Sequence, residues 1–124
     1  MYISGNVDHN IGSFVNAILN KPDVSLPAKY AFVYTDAIPF KDVLAAWSGV
    51  TGKRATFVQC SVAEYEALWG AYGKELGLQF AALEAQPDWS VAHKADVITA
   101  KELSIPAIDL IDLKAALALD KEKL

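Results

Sequence analysis

The chain has 124 residues, 53% of them apolar and 21% charged, enough for one domain with one core over residues 1–124 and too few for two. Fifteen acidic against 11 basic residues leave a net charge of −4, and with Arg54 the only arginine there is no basic stripe of the kind a nucleic-acid surface needs. No apolar run approaches the roughly 20 residues that span a bilayer, the single cysteine, Cys60, permits no internal disulfide, and the opening Met-Tyr-Ile-Ser-Gly lacks a secretory pattern, so a cytoplasmic protein free of membrane contact is expected.

Tyr2-Ile3-Ser4 reads as an edge strand, formed within a subunit or across a pair. Asp8 or Asn10 can cap a helix running to about Asn20, where Ile11, Phe14, Val15, Ile18 and Leu19 recur at helical spacing and predict a buried stripe. Lys21-Pro22-Asp23 stops that helix, and a loop containing Pro27 follows. Tyr30 to Thr35 is a short, almost wholly apolar run, as expected of a central strand covered on both faces. Pro39 suits the first turn of the next helix, Phe40, Val43, Leu44 and Trp47 give it a core face, and Gly52 is its natural left-handed terminator. A second strand is predicted from Ala55 to Cys60, parallel to the first because a helix-length crossover joins them.

The sharpest local signal is Ser61-Val62-Ala63-Glu64, a capping box that fixes a helix start. That helix carries Val62, Tyr65, Leu68 or Trp69, and Tyr72 on one side, and Gly70, Gly73 and Gly77 predict a bend near Tyr72 or Gly73. Leu76, Phe80, Leu83 and Glu84 share the inner face of its second segment. Pro87-Asp88-Trp89 breaks the pattern, a short helix is expected within 90–96, and Thr99 with Glu102 repeats the capping spacing before a turn. Pro106 opens a last helix with Asp109 and Asp112 near its start and Lys121 and Lys123 near its end, an order that complements the helix dipole. The fold class expected is α/β: a small parallel sheet of two or three strands in a βαβ arrangement, packed with five or six helices.

Several blocks carry a family resemblance: Asp8 with Gly12-Ser13-Phe14-Val15 and Ala17-Ile18-Leu19, then Tyr34-Thr35-Asp36, Asp42-Val43-Leu44, Trp47-Ser48, Val50-Thr51-Gly52-Lys53, and Glu64 with Leu68-Trp69-Gly70. Over residues 7–119 the chain resembles the C-terminal half of fungal NmrA-like proteins, atypical relatives of the short-chain dehydrogenases. In that family, the resemblance implies, an N-terminal Rossmann half carries the glycine-rich NAD(P) loop, and the C-terminal half covers the cleft and shapes the substrate or partner surface. No such loop follows a strand here. The nearest run, Gly70 to Gly77, lies in a helical pattern and its third glycine comes one residue late, so no nucleotide cofactor is expected.

Without that half, apolar surface is left to be covered, and a homodimer in which each copy covers the other is expected. Chemistry must then come from side chains. Carboxyls against aromatic walls have raised pKa values, so Glu84 or Asp88 is a candidate acid in a pocket lined by Tyr65, Trp69, Tyr72, Phe80 and Trp89. Asp8 and His9 at a helix start, and His93 near Asp88, are further candidates, although Asp8 equally suits a cap and neither histidine has metal-ligand spacing. Asp36, just past the C-terminal end of a parallel strand, stands where α/β proteins bind ligands, or serves a turn. Cys60, ending a strand without an adjacent base, reads as a structural thiol. These features suit a cofactor-independent isomerase, cyclase or epoxide or ether rearrangement catalyst acting on a hydrophobic metabolite. The alternatives are a non-catalytic binding or regulatory module and the substrate-binding part of an NAD(P)-dependent reductase.

Overall fold

The computed structural model of the chain describes residues 1–85 and 88–124, with the side chain of Trp89 outside that description. In chain order the elements are β1 (Tyr2–Ile3), α1 (Val7–Asn20), α2 (Pro22–Ser25), β2 (Tyr30–Ala31), β3 (Asp36–Ala37), α3 (Phe40–Thr51), α4 (Val62–Ala85), α5 (Trp89–Ala92), β4 (Val97–Ile98), a 3-10 turn (Ala107–Asp109), α6 (Leu113–Leu119) and a second 3-10 turn (Lys121–Lys123). Among the described residues the architecture is mixed α/β, with two sheets of two strands each.

Local chemistry sets most helix boundaries. The cap of α1 is Asn6, whose Oδ1 accepts the His9 N–H at 2.9 Å, so the helix starts before both expected caps and Asn10 is carried into its body. α3 ends where Gly52 takes a left-handed φ of 73°. At the start of α4 the Ser61 N–H donates to Glu64 Oε2 at 2.7 Å and the Glu64 N–H returns to Ser61 Oγ at 3.2 Å, the expected capping box. The same exchange between the Thr99 N–H and Glu102, at 2.8 Å, opens only a turn. Beyond Pro106 the expected single helix is divided, and α6 begins afresh where Asp112 accepts the Ala115 N–H at 2.8 Å.

The bend in α4 sits at Gly70, with φ 64° and ψ −148°, a conformation open in practice only to glycine. It turns α4 into two segments, 62–69 and 71–85, folded against each other. Gly73 and Gly77 form the seam: a Cβ on Gly73 would lie 2.5 Å from the Tyr65 carbonyl oxygen, and one on Gly77 would lie 3.2 Å from Val62 Cγ1. The glycine run that superficially resembles a nucleotide loop is thus what lets one helical segment lie on another.

β1 forms within the subunit, antiparallel to β3, with Tyr2 opposite Ala37 and Ile3 opposite Asp36. β2 is half of a parallel pair, as expected, but its partner is β4, with Tyr30 opposite Val97 and Ala31 opposite Ile98. The run 55–60 is in no strand and is exposed throughout, Cys60 included, so the expected βαβ crossover through it does not form and Cys60 is not a buried strand end. The core is compact: Phe14, Ile98 and Leu103 are its buried centre, with Ala17, Ile18, Val33 and Ile105 packed around them. α1 therefore turns Asn10, Phe14 and Ile18 inward, while Val7, Ile11, Val15 and Leu19, each four residues apart, stay 45–74% exposed. Ile11, Val15 and Leu19 were expected in the buried stripe. They lie on the flank beside Phe14 and Ile18, left open because the helix is apolar over more of its circumference than one core can cover.

A polar junction joins the chain's two ends. Gly5, at φ 61°, passes so close to the Ile111 carbonyl oxygen that a Cβ there would lie 1.9 Å from it. The fully buried Asn10 donates to the carbonyls of Ser4 at 2.7 Å and Ile111 at 2.8 Å. Beside it, the Asp36 carboxylate accepts the Leu113 N–H at 2.9 Å and the Thr35 hydroxyl at 2.8 Å.

Candidate functional site

Two groups of aromatic rings face each other across the fold. Alternation along the β2 segment puts Phe32 and Tyr34 on one side of the chain, where Tyr2 of β1 packs edge-on to both, with centroids 4.7 and 4.9 Å away. Opposite them, Phe40 from the start of α3 meets Phe80 of α4 edge-on at 5.1 Å, and Tyr65 from the other segment of α4 lies 6.5 Å from Phe80. Between these groups opens a cleft of about 790 Å³, within the range typical of small-molecule sites. Phe57 and Val58, from the run expected to be a strand, also line it.

Glu84 is the carboxylate on the lining, one helical turn from Phe80, and it makes no hydrogen bond or ion pair among the described residues. The other polar groups there are largely committed. The Ser61 hydroxyl is engaged with Glu64 at 2.8 Å. The Tyr2 phenol bonds Asp88; its burial, and then this carboxylate, push its pKa up. Asp88 is held below the usual carboxylate range, first by the Ser90 hydroxyl and then by Tyr2. A raised pKa was expected for a carboxyl at this site. For Asp88 the direction is the reverse, because hydrogen bonds to the ionised form prevail over desolvation, and near neutral pH it is an acceptor rather than an acid.

Of the residues expected at the site, the structure brings Tyr65, Phe80 and Glu84 to the cleft, with Asp88 reaching it through Tyr2. Trp69 and Tyr72 do not line it; at 63% and 68% exposed they sit on the outer side of the bend at Gly70, which redirects the aromatic stripe. The side chain of Trp89 lies outside the described residues. His9 is exposed, its Nε2 2.9 Å from the Asp109 carbonyl oxygen, and Asp8 is exposed beside it in the first turn of α1. His93 closes α5 and is not on the cleft lining. Asp36 is spent on the Leu113 N–H at the junction. The residues that sequence reasoning left out, Tyr2, Phe32, Phe40 and Phe57, come from four separate segments. Only the two-residue alternation of Tyr30, Phe32 and Tyr34 hinted at a shared aromatic face.

Among the described residues, no group of three His, Cys, Asp or Glu side chains stands close enough to hold a metal ion, and no helix is long and apolar enough to cross a membrane. Models of known families, curated proteins and solved structures give no match to this chain.

Proposed function

We propose that this protein binds a hydrophobic small molecule in the cleft between the Tyr2–Phe32 and Phe40–Phe80–Tyr65 walls, and that any acid–base chemistry there falls to Glu84. The observation that carries this is the cleft itself: a volume suited to a metabolite-sized ligand, faced by rings from β1, α3 and both segments of α4, with one uncommitted carboxylate. Such a site fits the substrate side of an NmrA-like architecture. The isomerase or cyclase reading narrows to Glu84 as proton donor or acceptor, since Asp88 is held ionised. Titration with naphthalene-based probes, followed by ligand fluorescence, tests the binding. Saturable binding weakened about tenfold or more by Phe80→Ala is expected, because that change removes a ring from the cleft wall. Absence of saturable binding refutes the proposal.

The exposed ridge of α1 supports a second part of the proposal, a homodimer. Val7, Ile11, Val15 and Leu19 are placed symmetrically about position 13, so two copies of α1 running antiparallel set Val7 against Leu19 and Ile11 against Val15. Gly12 adjoins the ridge with open space where a Cβ would be, room for a second helix backbone.

A further inference from the structure

We infer that the ligand of this cleft is a lipophilic amine, bound as its cation; the inference rests on the binding site proposed above and names the class of molecule it takes. Aromatic faces attract cations through their ring quadrupoles, most strongly within about 6 Å of the centroid. Phe80, Phe40 and Tyr65 supply rings on the lining, with the Phe40 and Tyr65 centroids 5.1 and 6.5 Å from that of Phe80. One turn further along α4, Glu84 supplies the opposite charge at the same wall.

The remaining polar inventory points the same way. An ionised carboxylate only accepts hydrogen bonds. The Tyr2 hydroxyl donates its hydrogen bond to Asp88, which leaves its oxygen an acceptor towards the cleft. The Ser61 hydroxyl is occupied by Glu64. Gln59 is the one amide on the lining and serves either role. No Lys, Arg or His side chain lines the cleft among the described residues; Met1 is on the lining, and its ammonium donates to the Ile38 carbonyl at 3.0 Å. Phosphates, acyl carboxylates and other anions thus meet a carboxylate and no side-chain counter-charge, whereas a hydrophobic ammonium finds rings and an acceptor. The net charge of −4 favours the approach of a cation as well.

The test is isothermal titration of the intact protein at neutral pH with three probes sharing one ring system: 2-(1-naphthyl)ethylamine, 2-(1-naphthyl)ethanol and 1-naphthylacetate. The amine is expected to bind about tenfold tighter than the alcohol, with the carboxylate weakest. Glu84→Gln is expected to bring the amine within about threefold of the alcohol while leaving the alcohol unchanged. Glu75→Gln, on the same helix but off the lining, is expected to alter neither. Equal binding of all three probes, tightest binding of the carboxylate, or an amine preference that survives Glu84→Gln overturns the inference while leaving the binding site in place. Failure of every probe to bind removes the site and the inference together.

Discussion

The side-chain amide of Asn10 and the backbone of Ile111 close a two-bond ring across 101 residues of sequence: Asn10 Nδ2 donates to the Ile111 carbonyl at 2.8 Å, and the Ile111 N–H returns to Asn10 Oδ1 at 2.9 Å. With its further bond to the Ser4 carbonyl, this wholly buried side chain fastens α1 to the segment before α6 and to the end of β1.

Removing it takes the Asn10 partner from the Ser4 carbonyl and the Ile111 N–H, each costing about 1–3 kcal/mol, and leaves the Ile111 carbonyl with the Asn6 N–H alone, at 3.1 Å. Asn10→Ala is therefore expected to lose about 3–5 kcal/mol in urea denaturation, a large share of the ~5–15 kcal/mol typical of a domain. Asn10→Asp keeps the shape but aims an acceptor at the carbonyls of Ser4 and Ile111. Burial and those carbonyls raise the new carboxyl's pKa above its unfolded value, so its deficit relative to the native chain shrinks as pH falls towards the ordinary carboxylate range. A deficit that is small for the alanine variant, or pH-independent for the aspartate variant, would show that the junction does not carry the fold.

A second expectation contrasts two helical glycines. At Gly49 an added Cβ meets nothing within 4 Å, so Gly49→Ala is expected to stabilise by about 0.5–1 kcal/mol through helix propensity alone. At Gly73 it would lie 2.5 Å from the Tyr65 carbonyl and 2.8 Å from Trp69 Cβ, so Gly73→Ala must spread the two segments of α4. A cost of about 1–3 kcal/mol, typical of overpacking, is expected, together with weaker probe binding, since Tyr65 is a cleft wall. Thermal melts of the two variants decide it, and opposite signs are required.

Which parts of this were legible beforehand follows from how far each determinant reaches along the chain. The Ser61–Glu64 exchange and the Gly52 terminator involve residues within one turn, and they form as their spacing predicts. The bend from the glycine run was legible, its position at Gly70 less so, because three glycines compete and packing against Tyr65 selects among them. The partner of β2 was not legible at all. Residues 55–60 have the better strand composition, yet Val97 and Ile98 take the place, and a two-residue ladder draws its register from the Phe14–Leu103 core rather than from its own sequence. The cleft was half legible: Phe80 and Glu84 declare themselves by helical spacing, whereas Tyr2 and Phe32 arrive through tertiary pairing.

The Tyr2–Asp88 bond makes a spectroscopic prediction. Burial is the larger cause of the raised Tyr2 pKa and the Asp88 carboxylate the next. In an alkaline titration followed by phenolate absorbance, one of the five tyrosines is expected to ionise above the ordinary value of about 10. Asp88→Asn is expected to lower that ionisation part of the way, and Tyr2→Phe to abolish it. On the acid side the sign is set by Asp88: its pKa is depressed in the fold, so its contribution to stability is present above the unfolded value of about 4 and is lost as pH falls through the lower folded one. The stability difference between the native chain and Tyr2→Phe should accordingly hold through neutral pH and close in strong acid.

The dimer proposed through α1 is open to a test with two changes of opposite character. From Val7 to Leu19 the exposed ridge is about 18 Å long at 1.5 Å per residue, and its four-residue repeat winds it by about 40° per step around one flank of the helix. The proposed antiparallel pairing would cover this ridge in each copy, with Gly12, one residue from its midpoint, close to the two-fold axis. Ile11→Glu with Val15→Glu puts four carboxylates into that seam, and sedimentation equilibrium is expected to show monomers where the native chain is dimeric. Because both positions are already about half exposed, the monomer's fold should survive the change. Gly12→Ala works the other way. In a lone helix it adds up to about 1 kcal/mol of helix propensity, whereas in the dimer its methyl group enters the closest approach of the two backbones. A variant that melts higher when dilute yet dissociates more readily is the expected signature. A native chain that remains monomeric at high concentration, or a Gly12→Ala variant that tightens association, would assign this ridge to some other contact.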